Sequence, residues 1–561
     1  MSSWRMQYWS LKLLSLGALT LVLFALAHLL PGTSLAPYQS RPTEPGQQRD
    51  LMTDYAYNRT LPIQYIRWMQ RLVMGQWGTS RFYERSVLYD VASAAGHTTA
   101  LLIWIAATFG LWLALCRSFR WLMPRSMPHS GDRLALLFVA ALPNFIVALI
   151  ARDLLIWRAG LLGLAHIPAF NPTYVLNPMY MLLPASALTL TLGAVWQALY
   201  PTPKSTHDHR VSEHAQMTRF CHAILPFLPI FLLQLFLTEY ILSIPGLGAL
   251  GFEALKRRDM PMLQGFLICA CILHFILQLI LEWGARLRSQ GHSPLACIVS
   301  LSLPQRTSRR GLYRGLCGLG LLLAIAIWAH HLAPFDANEL HSGAQLRQPG
   351  YRYILGTDFL GRDVLSRTLD GFRNAIPRTL LITATTGFVA VLLLALARLL
   401  PRVVRRCLRL VAVFIHTIPP FILVLMIFLV LEPYRLALEI ALACGFLPLA
   451  SQWLNLKGPL FIRIISLTQI SSQILILGIV FRFLNLTPDS SMPTWGSDIR
   501  HGLSYSQRNV WLLLAPSLAL VWSHYNFHLI SHYLPIGVKP ASPATQRRQN
   551  DEVPTTTKGR S

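Results

Sequence analysis

Long apolar runs alternate with polar segments along most of the chain. Each run has about 17 to 25 residues, the length that an α-helix needs to cross the hydrocarbon core of a membrane. The runs predict about twelve membrane-spanning helices and hence an all-α polytopic membrane protein. Their approximate ranges are 11–31, 98–117, 133–151, 179–199, 223–243, 262–285, 313–333, 376–400, 408–430, 434–455, 462–482 and 511–534.

The polar segments divide these predicted helices into two pseudo-symmetric halves of six. Residues 286–312 are polar and basic and lack apolar periodicity, which predicts a cytoplasmic linker. Each half has one helix, then a long polar segment, then five closely spaced helices, and repeated topology of this kind is common in transporters. We expect an N-terminal half at 1–285, a C-terminal half at 313–534 and a disordered cytoplasmic tail at 535–561.

The charge distribution sets the expected orientation in the membrane. Of the 561 residues 53% are hydrophobic and 13% charged, and the net charge is +25. Arg-rich clusters follow the second, sixth and eighth apolar runs, and the positive-inside rule places them, with both termini, in the cytoplasm. The clusters lie at the ends of apolar runs, so we expect a lipid membrane and no nucleic acid as partner. The first run is long enough to span and predicts an uncleaved helix rather than a signal peptide.

The sequence contains no motif for catalysis or for metal binding. A phosphate-binding GxxxxGK[ST] loop, HExxH, GxSxG and paired CxxC motifs are all missing. We therefore predict no enzymatic activity, no metal site and no cofactor bound directly. Glu239, Glu439 and His416 are ionisable residues in or near apolar runs, where a charge is costly unless it is paired or faces water. For each of them a functional role and an ordinary hydrogen-bonded or interfacial role stay open.

The densest polar stretch, "GTDFLGRDVLSRTLDGFRN" at 356–374, precedes the eighth apolar run. It resembles the box before the second helix of the C-type permease subunit in dipeptide, oligopeptide and nickel ABC importers. The matching residues are Gly356, Thr357, Asp358, Gly361, Arg362, Asp363, Ser366, Arg367, Gly371 and Arg373. "MPTWGSDIRHG" is similar to the family's segment before its last helix, with Pro493, Trp495 and Gly496 in place.

The N-terminal half resembles the B-type partner subunit of the same importers. "HLLPG" at 28–32 ends the first apolar run, as in that family, and three further stretches match its boxes. The matching residues are Gly75, Gly78, Ser80 and Val87 in the first, Glu239, Pro245, Gly246, Leu247 and Gly248 in the second, and Arg258, Asp259, Pro261, Gln264 and Gly265 in the third. The resemblance implies a natural fusion of two subunits that are usually separate polypeptides.

The resemblance implies the permease component of an ABC transporter in a bacterial inner membrane. Such a component moves peptides or a related small solute through a pore between its halves. ATP would be used by separate cytoplasmic ATPase subunits, and a periplasmic solute-binding protein would deliver the cargo. From their chemistry we expect the box residues to form a periplasmic scaffold, with Gly in tight turns and Asp363 or Ser366 as a helix cap. Direct contact of Asp358 or Arg362 with cargo is the alternative.

The chain departs from the family in its cytoplasmic coupling loops. "SEHAQMTRFCHAILP" retains Glu213 and Ala215 but lacks the central Gly, and the second half has only "QWLNLKGPLFIR". If coupling survives, the resemblance implies ATPase contact through Glu213, Ala215 and Arg219, which could otherwise be ordinary solvated residues. The shortened loops keep open a degenerate permease that acts as a receptor or scaffold. An ion-coupled carrier would need paired ionisable groups at mid-membrane, for which Glu439 and His416 are candidates.

Overall fold

The computed structural model describes most of the chain between residues 60 and 532. The described ranges are 60–80, 82–122, 138–139, 142–162, 178–198, 220–221, 224–286, 309–405, 407–408, 418–431, 436–454, 460–487 and 492–532, with the single residues 17, 20, 21, 24, 25, 415 and 434. Most of the first predicted span, nearly all of the linker at 286–312, His416 and the tail at 535–561 lie outside them.

Fourteen α-helices form the described part of the chain, in which no β-strand is found. The N-terminal helices are α1 (Leu61–Val73), α2 (Val87–Leu122), α3 (Asn144–Leu162), α4 (Pro178–Ala198), α5 (Leu228–Ile241), α6 (Leu247–Lys256) and α7 (Met260–Arg286). The C-terminal helices are α8 (Arg309–Leu332), α9 (Val364–Leu399), α10 (Pro420–Leu431), α11 (Ala437–Leu454), α12 (Leu460–Phe483), α13 (Trp495–Tyr505) and α14 (Trp511–His532).

Four of these helices are long and apolar enough to cross a membrane. They contain the segments Val87–Cys116, Met260–Gly284, Gly311–Leu332 and Val364–Leu399. Shorter apolar segments lie in α4, α5, α10, α11 and α12. Helices suit this environment because all backbone polar groups are satisfied within the segment. The all-helical membrane class is thus supported, whereas twelve spans in two halves of six stay a prediction.

Several helices extend beyond the predicted apolar runs. The run at 98–117 lies within α2, which begins at Val87, and all but the last residue of the run at 376–400 lies within α9, which begins at Val364. The two helices each have 36 residues and start directly after a polar box. Hydropathy marks only the part of a helix that is suited to hydrocarbon, so an amphipathic extension escapes it. For the same reason the segments 244–261 and 483–510, which lie between predicted spans, contain the short helices α6 and α13.

The predicted end of the helix α3 was wrong for a different reason. The apolar run at 133–151 predicts an end before Arg152 and Asp153, but α3 continues to Leu162. Neighbouring elements satisfy both charged side chains, since Nη1 of Arg152 donates to the Ile241 carbonyl at 2.7 Å and Asp153 accepts from Ser506. The two charged residues therefore do not end the helix, because each finds its hydrogen-bond partner in another part of the fold.

The N-terminal and C-terminal helices share one hydrophobic core. Phe236 of α5 and Phe421 of α10 are in edge-to-face contact with ring centroids 6.1 Å apart, and both belong to the same cluster of buried side chains. The helices α14 and α3 are also in contact. Burial of aromatic rings contributes both apolar area and a geometric preference. This packing places α13 and the end of α5 close together.

Candidate functional site

The first polar box is a tight turn organised by one carboxylate. Oδ1 of Asp358 accepts hydrogen bonds from the backbone N–H groups of Leu360 at 2.8 Å and Arg362 at 2.9 Å. Its Oδ2 accepts from Nε of Arg362 at 2.7 Å. Gly356 and Gly361 flank the turn with φ angles of +77° and +85°, which only glycine adopts readily. The side chains of Asp358 and Arg362 are thus occupied with each other and with the turn.

The loop that precedes this turn, which includes His341 and Arg347, packs directly against it. Thr357 N–H donates to the Arg347 carbonyl at 3.1 Å, and Arg347 N–H donates to Oγ1 of Thr357 at 2.9 Å. A Cβ atom on Gly356 would overlap the Arg347 carbonyl, and one on Gly361 would press on that of His341. The two glycines are therefore required both by their backbone angles and by the loop that lies on them.

The second part of the box begins α9. Asp363 is its N-cap, since Oδ2 accepts from Ser366 N–H at 2.8 Å and from the Ser366 hydroxyl at 2.7 Å. A capping carboxylate satisfies a free N–H and interacts favourably with the positive end of the helix dipole. Ser366 Oγ in turn accepts from Phe335 N–H at 3.1 Å, which ties the loop after α8 to the start of α9. Of the two residues expected as candidate caps, Asp363 and Ser366, Asp363 caps α9.

A buried ion pair joins the two boxes of the C-terminal half. Arg367 donates from Nε at 3.0 Å and from Nη2 at 2.5 Å to Oδ1 of Asp498 in α13, and from Nη1 to the Ala337 carbonyl at 3.3 Å. Sequence reasoning included Arg367 but missed Asp498, although it lies in the matched segment "MPTWGSDIRHG". Its opposite charge was the available signal, because a buried Arg needs such a partner.

Packing of the Trp495 side chain also holds these two boxes together. Its ring is 1% exposed, and Nε1 donates to the Thr368 carbonyl at 3.0 Å. The Phe372 ring meets it edge-on with centroids 4.7 Å apart. A Cβ atom on Gly371 would overlap the indole, and one on Gly496 would overlap backbone atoms at the end of α12. The glycines of these boxes therefore allow close packing.

In the N-terminal half, Glu239 connects α5 to α6. Its carboxylate is fully buried, and Oε2 accepts from Gly248 N–H in the first turn of α6 at 2.7 Å. Pro245 lies in the intervening turn, where the missing N–H prevents a continuous helix. A Cβ atom on Gly246 would overlap the carboxyl group of Glu239. Glu239 thus stabilises the start of α6 in this chain, and no snorkelling to the interface is seen.

The other two N-terminal boxes also meet each other. Ser80 Oγ donates to Oδ2 of Asp259 at 2.6 Å, and the backbone N–H groups of residues 82 and 83 donate to the same Oγ. A Cβ atom on Gly265 would lie 2.8 Å from Cγ1 of the fully buried Val87. Gly75 and Gly78 have φ angles of +79° and +87°. Residues that matched the family in separate stretches are therefore assembled into one contact.

The box regions of the two halves come together at a junction between α3, α5 and α13. Ser506 Oγ, directly after α13, donates a short hydrogen bond to Oδ1 of Asp153 in α3. Arg500 of α13 lies within electrostatic range of Tyr240 at the end of α5. Burial lowers the pKa of the Arg500 guanidinium, and Tyr240 opposes this shift. A partly buried Arg still keeps its charge at neutral pH.

His501, beside Arg500, predicts a pH dependence of stability. Burial and the neighbouring Arg500 lower its pKa below the ordinary 6.5, with Asp498 opposing. Below pH 6.5 the unfolded chain therefore binds more protons at this residue than the folded one, so stability is present above that pH and is lost as the pH falls. We expect the Tm to drop between pH 7.5 and 5.5, and to drop less in His501→Gln. Equal pH dependence in both proteins would contradict this.

The predicted coupling residues Glu213, Ala215 and Arg219 lie outside the described residues. The stretch that follows them is described from Phe220, whose ring packs between Phe109 at 5.3 Å and Trp196 at 5.0 Å. The end of this stretch is thus anchored to α2 and α4. The role of the three residues in coupling stays a prediction.

Comparison with known proteins relates part of the chain to permease proteins of peptide transport systems. No protein-family model matches the chain. The dipeptide transport system permease protein DppC of Haemophilus influenzae is 38% identical over 90 residues, which are 15% of this chain and 28% of that protein. The peptide transport system permease protein SapC of the same organism is 22% identical over 238 residues, 36% of this chain and 81% of SapC.

A third relative has a similar extent. The probable D,D-dipeptide transport system permease protein DdpC of Escherichia coli is 24% identical over 242 residues, which are 37% of this chain and 80% of DdpC. Each of these three matches covers less than half of this chain, and the DppC match spans less than a third of that relative. The similarity supports a relationship to the permease proteins of peptide transport systems.

Proposed function

We propose that the protein is the membrane-spanning permease component of an ABC transporter for peptides or a related small solute. The observation that carries the proposal is its similarity to permease proteins of peptide and dipeptide transport systems. The assembly of the boxes that resemble this family into buried hydrogen-bonded contacts agrees with it. The protein acts in the inner membrane of a bacterial cell, and it is not itself an enzyme.

The proposal includes a fusion of a B-type and a C-type subunit in one chain. A structural repeat supports it: an apolar helix, a short helix and a further apolar helix follow one another as α5, α6 and α7 and again as α12, α13 and α14. In both cases the short helix packs against the helices before and after it. The box residues form the scaffold at the outer end of each half, and the pore lies between the halves.

The partners follow from this arrangement. Separate ATPase subunits on the cytoplasmic side use ATP, and a periplasmic solute-binding protein brings the cargo. Purification from native membranes tests this directly: we expect ATPase chains to copurify and reconstituted vesicles to take up labelled dipeptide only with ATP. A chain that purifies without ATPases from cells that encode them would instead support the degenerate receptor or scaffold suggested by the shortened coupling loops.

We expect coupling to the ATPases to be asymmetric. The first-half loop retains Glu213 and Ala215, whereas the second-half loop is too short to form the two or three helical turns of a specific docking contact. Cysteines placed by Ala215→Cys and, as the matched control, Lys457→Cys should be tested for crosslinks to the ATPases. Crosslinks from position 215 alone are expected, and equal crosslinks from both positions would refute asymmetry.

A further inference from the structure

Three cationic side chains surround Tyr240, which lies near the end of α5. Lys256, in the last turn of α6, donates a short hydrogen bond to the Tyr240 hydroxyl, and its Nζ lies 4.7 Å from the centre of the ring. Arg152 of α3 donates to the carbonyl of the next residue, Ile241, at 2.7 Å and lies within electrostatic range of Tyr240. Arg500 of α13 lies within the same range. The cluster therefore draws on both halves of the chain.

Carboxylates compensate these three charges only in part. Within the described part of the chain, no ion pair of Arg152, Lys256 or Arg500 with a carboxylate is found. Asp153 is within electrostatic range of Arg152, but its Oδ1 already accepts from Ser506. Like charges that are held together are unfavourable, and the cost rises as water is excluded. The cluster therefore favours an anion.

The two guanidinium groups also have N–H donors to offer. Each guanidinium carries five such donors. Among the described residues, Arg152 uses Nη1 for the Ile241 carbonyl, and Arg500 has a contact of 3.4 Å between its Nη2 and Nε2 of His501. Arg367 in the neighbouring box, by contrast, donates from Nε, Nη1 and Nη2. Arg152 and Arg500 thus differ from an arginine whose role is to hold the boxes together.

The cluster lies where the two halves of the chain meet. Arg152 is next to Asp153, whose hydrogen bond with Ser506 joins α3 to the end of α13. Arg152 and Arg500 are half-buried and Lys256 is exposed, so the cluster extends from the contact between the halves to the protein surface. If the pore lies between the halves, as proposed above, cargo passes this cluster on its way through the protein.

We propose that this cluster binds a carboxylate group of the transported peptide, with Arg152, Lys256 and Arg500 as the donors. The planar fork of a guanidinium matches a carboxylate through paired hydrogen bonds, and the ammonium group of Lys256 adds a point charge. A peptide with a free C-terminus carries a carboxylate at neutral pH. The inference rests on the proposed transport function for the source of the carboxylate, whereas anion binding by the cluster does not depend on it. Peptides with a free C-terminus are therefore bound in preference to amidated ones.

The test uses the full-length protein in a maltoside detergent and follows its Tm during titration with alanyl-alanine or with alanyl-alanine amide, which lacks the carboxylate. We expect only the free peptide to raise the Tm. Arg500→Gln and Lys256→Gln should each weaken its affinity by about tenfold, because each removes a charge-assisted hydrogen bond. The matched control is Arg257→Gln, which removes the same charge next to Lys256 from a side chain that pairs with Glu253 at 2.5 Å. Equal affinity of the Arg500, Lys256 and Arg257 variants would overturn the site.

The Tm without peptide separates ligand binding from a structural role of the cluster. Arg500→Gln removes one of three charges that repel one another, so this Tm should be unchanged or higher although the affinity for peptide falls. A lower Tm together with the affinity of the wild type would show that Arg500 is structural and would overturn the site. If Arg500→Gln does not fold, Lys256→Gln tests the affinity at an exposed position.

Two further measurements identify the source of the anion. Inorganic phosphate and dioctanoyl phosphatidylglycerol should raise the Tm less than alanyl-alanine does, and an equal shift with either would overturn the peptide assignment. In vesicles that contain the ATPases and the binding protein, Arg500→Gln should lower the maximal rate of alanyl-alanine uptake. An unchanged rate would overturn the inference and leave the transport function in place. If the wild type takes up no peptide but binds alanyl-alanine through the cluster, the transport function is contradicted and the site is supported.

Discussion

A disulfide between cysteines placed at positions 153 and 506 will nearly abolish transport while the protein stays folded. Ser506 and Asp153 are hydrogen-bonded in the structure and come from opposite halves, since Ser506 directly follows α13 and Asp153 lies in α3. Alternating access requires the halves to separate at the outer end when the pore opens outward. A covalent bond at this point holds that end closed, so cargo delivered from outside cannot enter.

The experiment compares oxidised and reduced Asp153→Cys/Ser506→Cys protein in vesicles that contain the ATPases. Reduction should restore uptake, which would show that the disulfide blocks transport and that the protein itself is not damaged. Thr108→Cys/Thr189→Cys is a matched control, because the two hydroxyl oxygens are 2.7 Å apart but both lie in the N-terminal half, on α2 and α4. Oxidised control protein should transport normally. Undiminished uptake by the oxidised 153–506 protein would show that the outer mouth does not open at this contact.

The second large effect is expected from the ion pair between Arg367 and Asp498. Arg367→Ala leaves the carboxylate of Asp498 buried without its main partner, and removal of one member of a buried pair costs roughly 3–5 kcal/mol. Both side chains are about 90% buried, so water cannot replace the lost contact. We expect poor expression and a Tm lowered by several degrees, through loss of the connection between α9 and α13.

Two comparisons make this result specific. Arg373→Ala, on the same helix but largely exposed, should leave stability nearly unchanged. Arg367→Met/Asp498→Leu removes both charges and should be more stable than either single variant, since no unpaired charge remains. Normal expression and Tm of Arg367→Ala with an altered cargo preference would instead place Arg367 among the cargo-binding residues.

The parts of the fold that depend on composition alone were predictable from the sequence. The run at 262–285 nearly coincides with α7, Met260–Arg286, because polar residues bound it on both sides in the sequence. The start of α9 was missed because its first turns are polar and amphipathic. The cap at Asp363 was predictable since its partner Ser366 is three residues away and follows local helix chemistry.

Contacts between distant segments were not predictable in the same way. Asp498 lies 131 residues from Arg367, and a single sequence offers only complementary charge as a hint. The contact between Asp153 and Ser506 spans 353 residues, and nothing local marks either residue. The surroundings of Glu439 were predictable only in part: its position in an apolar run indicated that it needs a partner, but Arg378 and Arg482, which lie 3.7 and 3.6 Å from its Oε1, come from two other helices. Tertiary packing decides such contacts.

The two helices of 36 residues have a mechanical consequence. A helix of that length measures about 54 Å, whereas the hydrocarbon core of a bilayer is about 30 Å thick. Each of α2 and α9 is therefore a rod longer than the hydrocarbon is thick, and a polar box holds it at one end. A tilt of such a rod displaces its far end by several ångström while its clamped end hardly moves. Pro377 removes one hydrogen bond within α9, so that rod can hinge near its clamped end whereas α2 acts as a single lever.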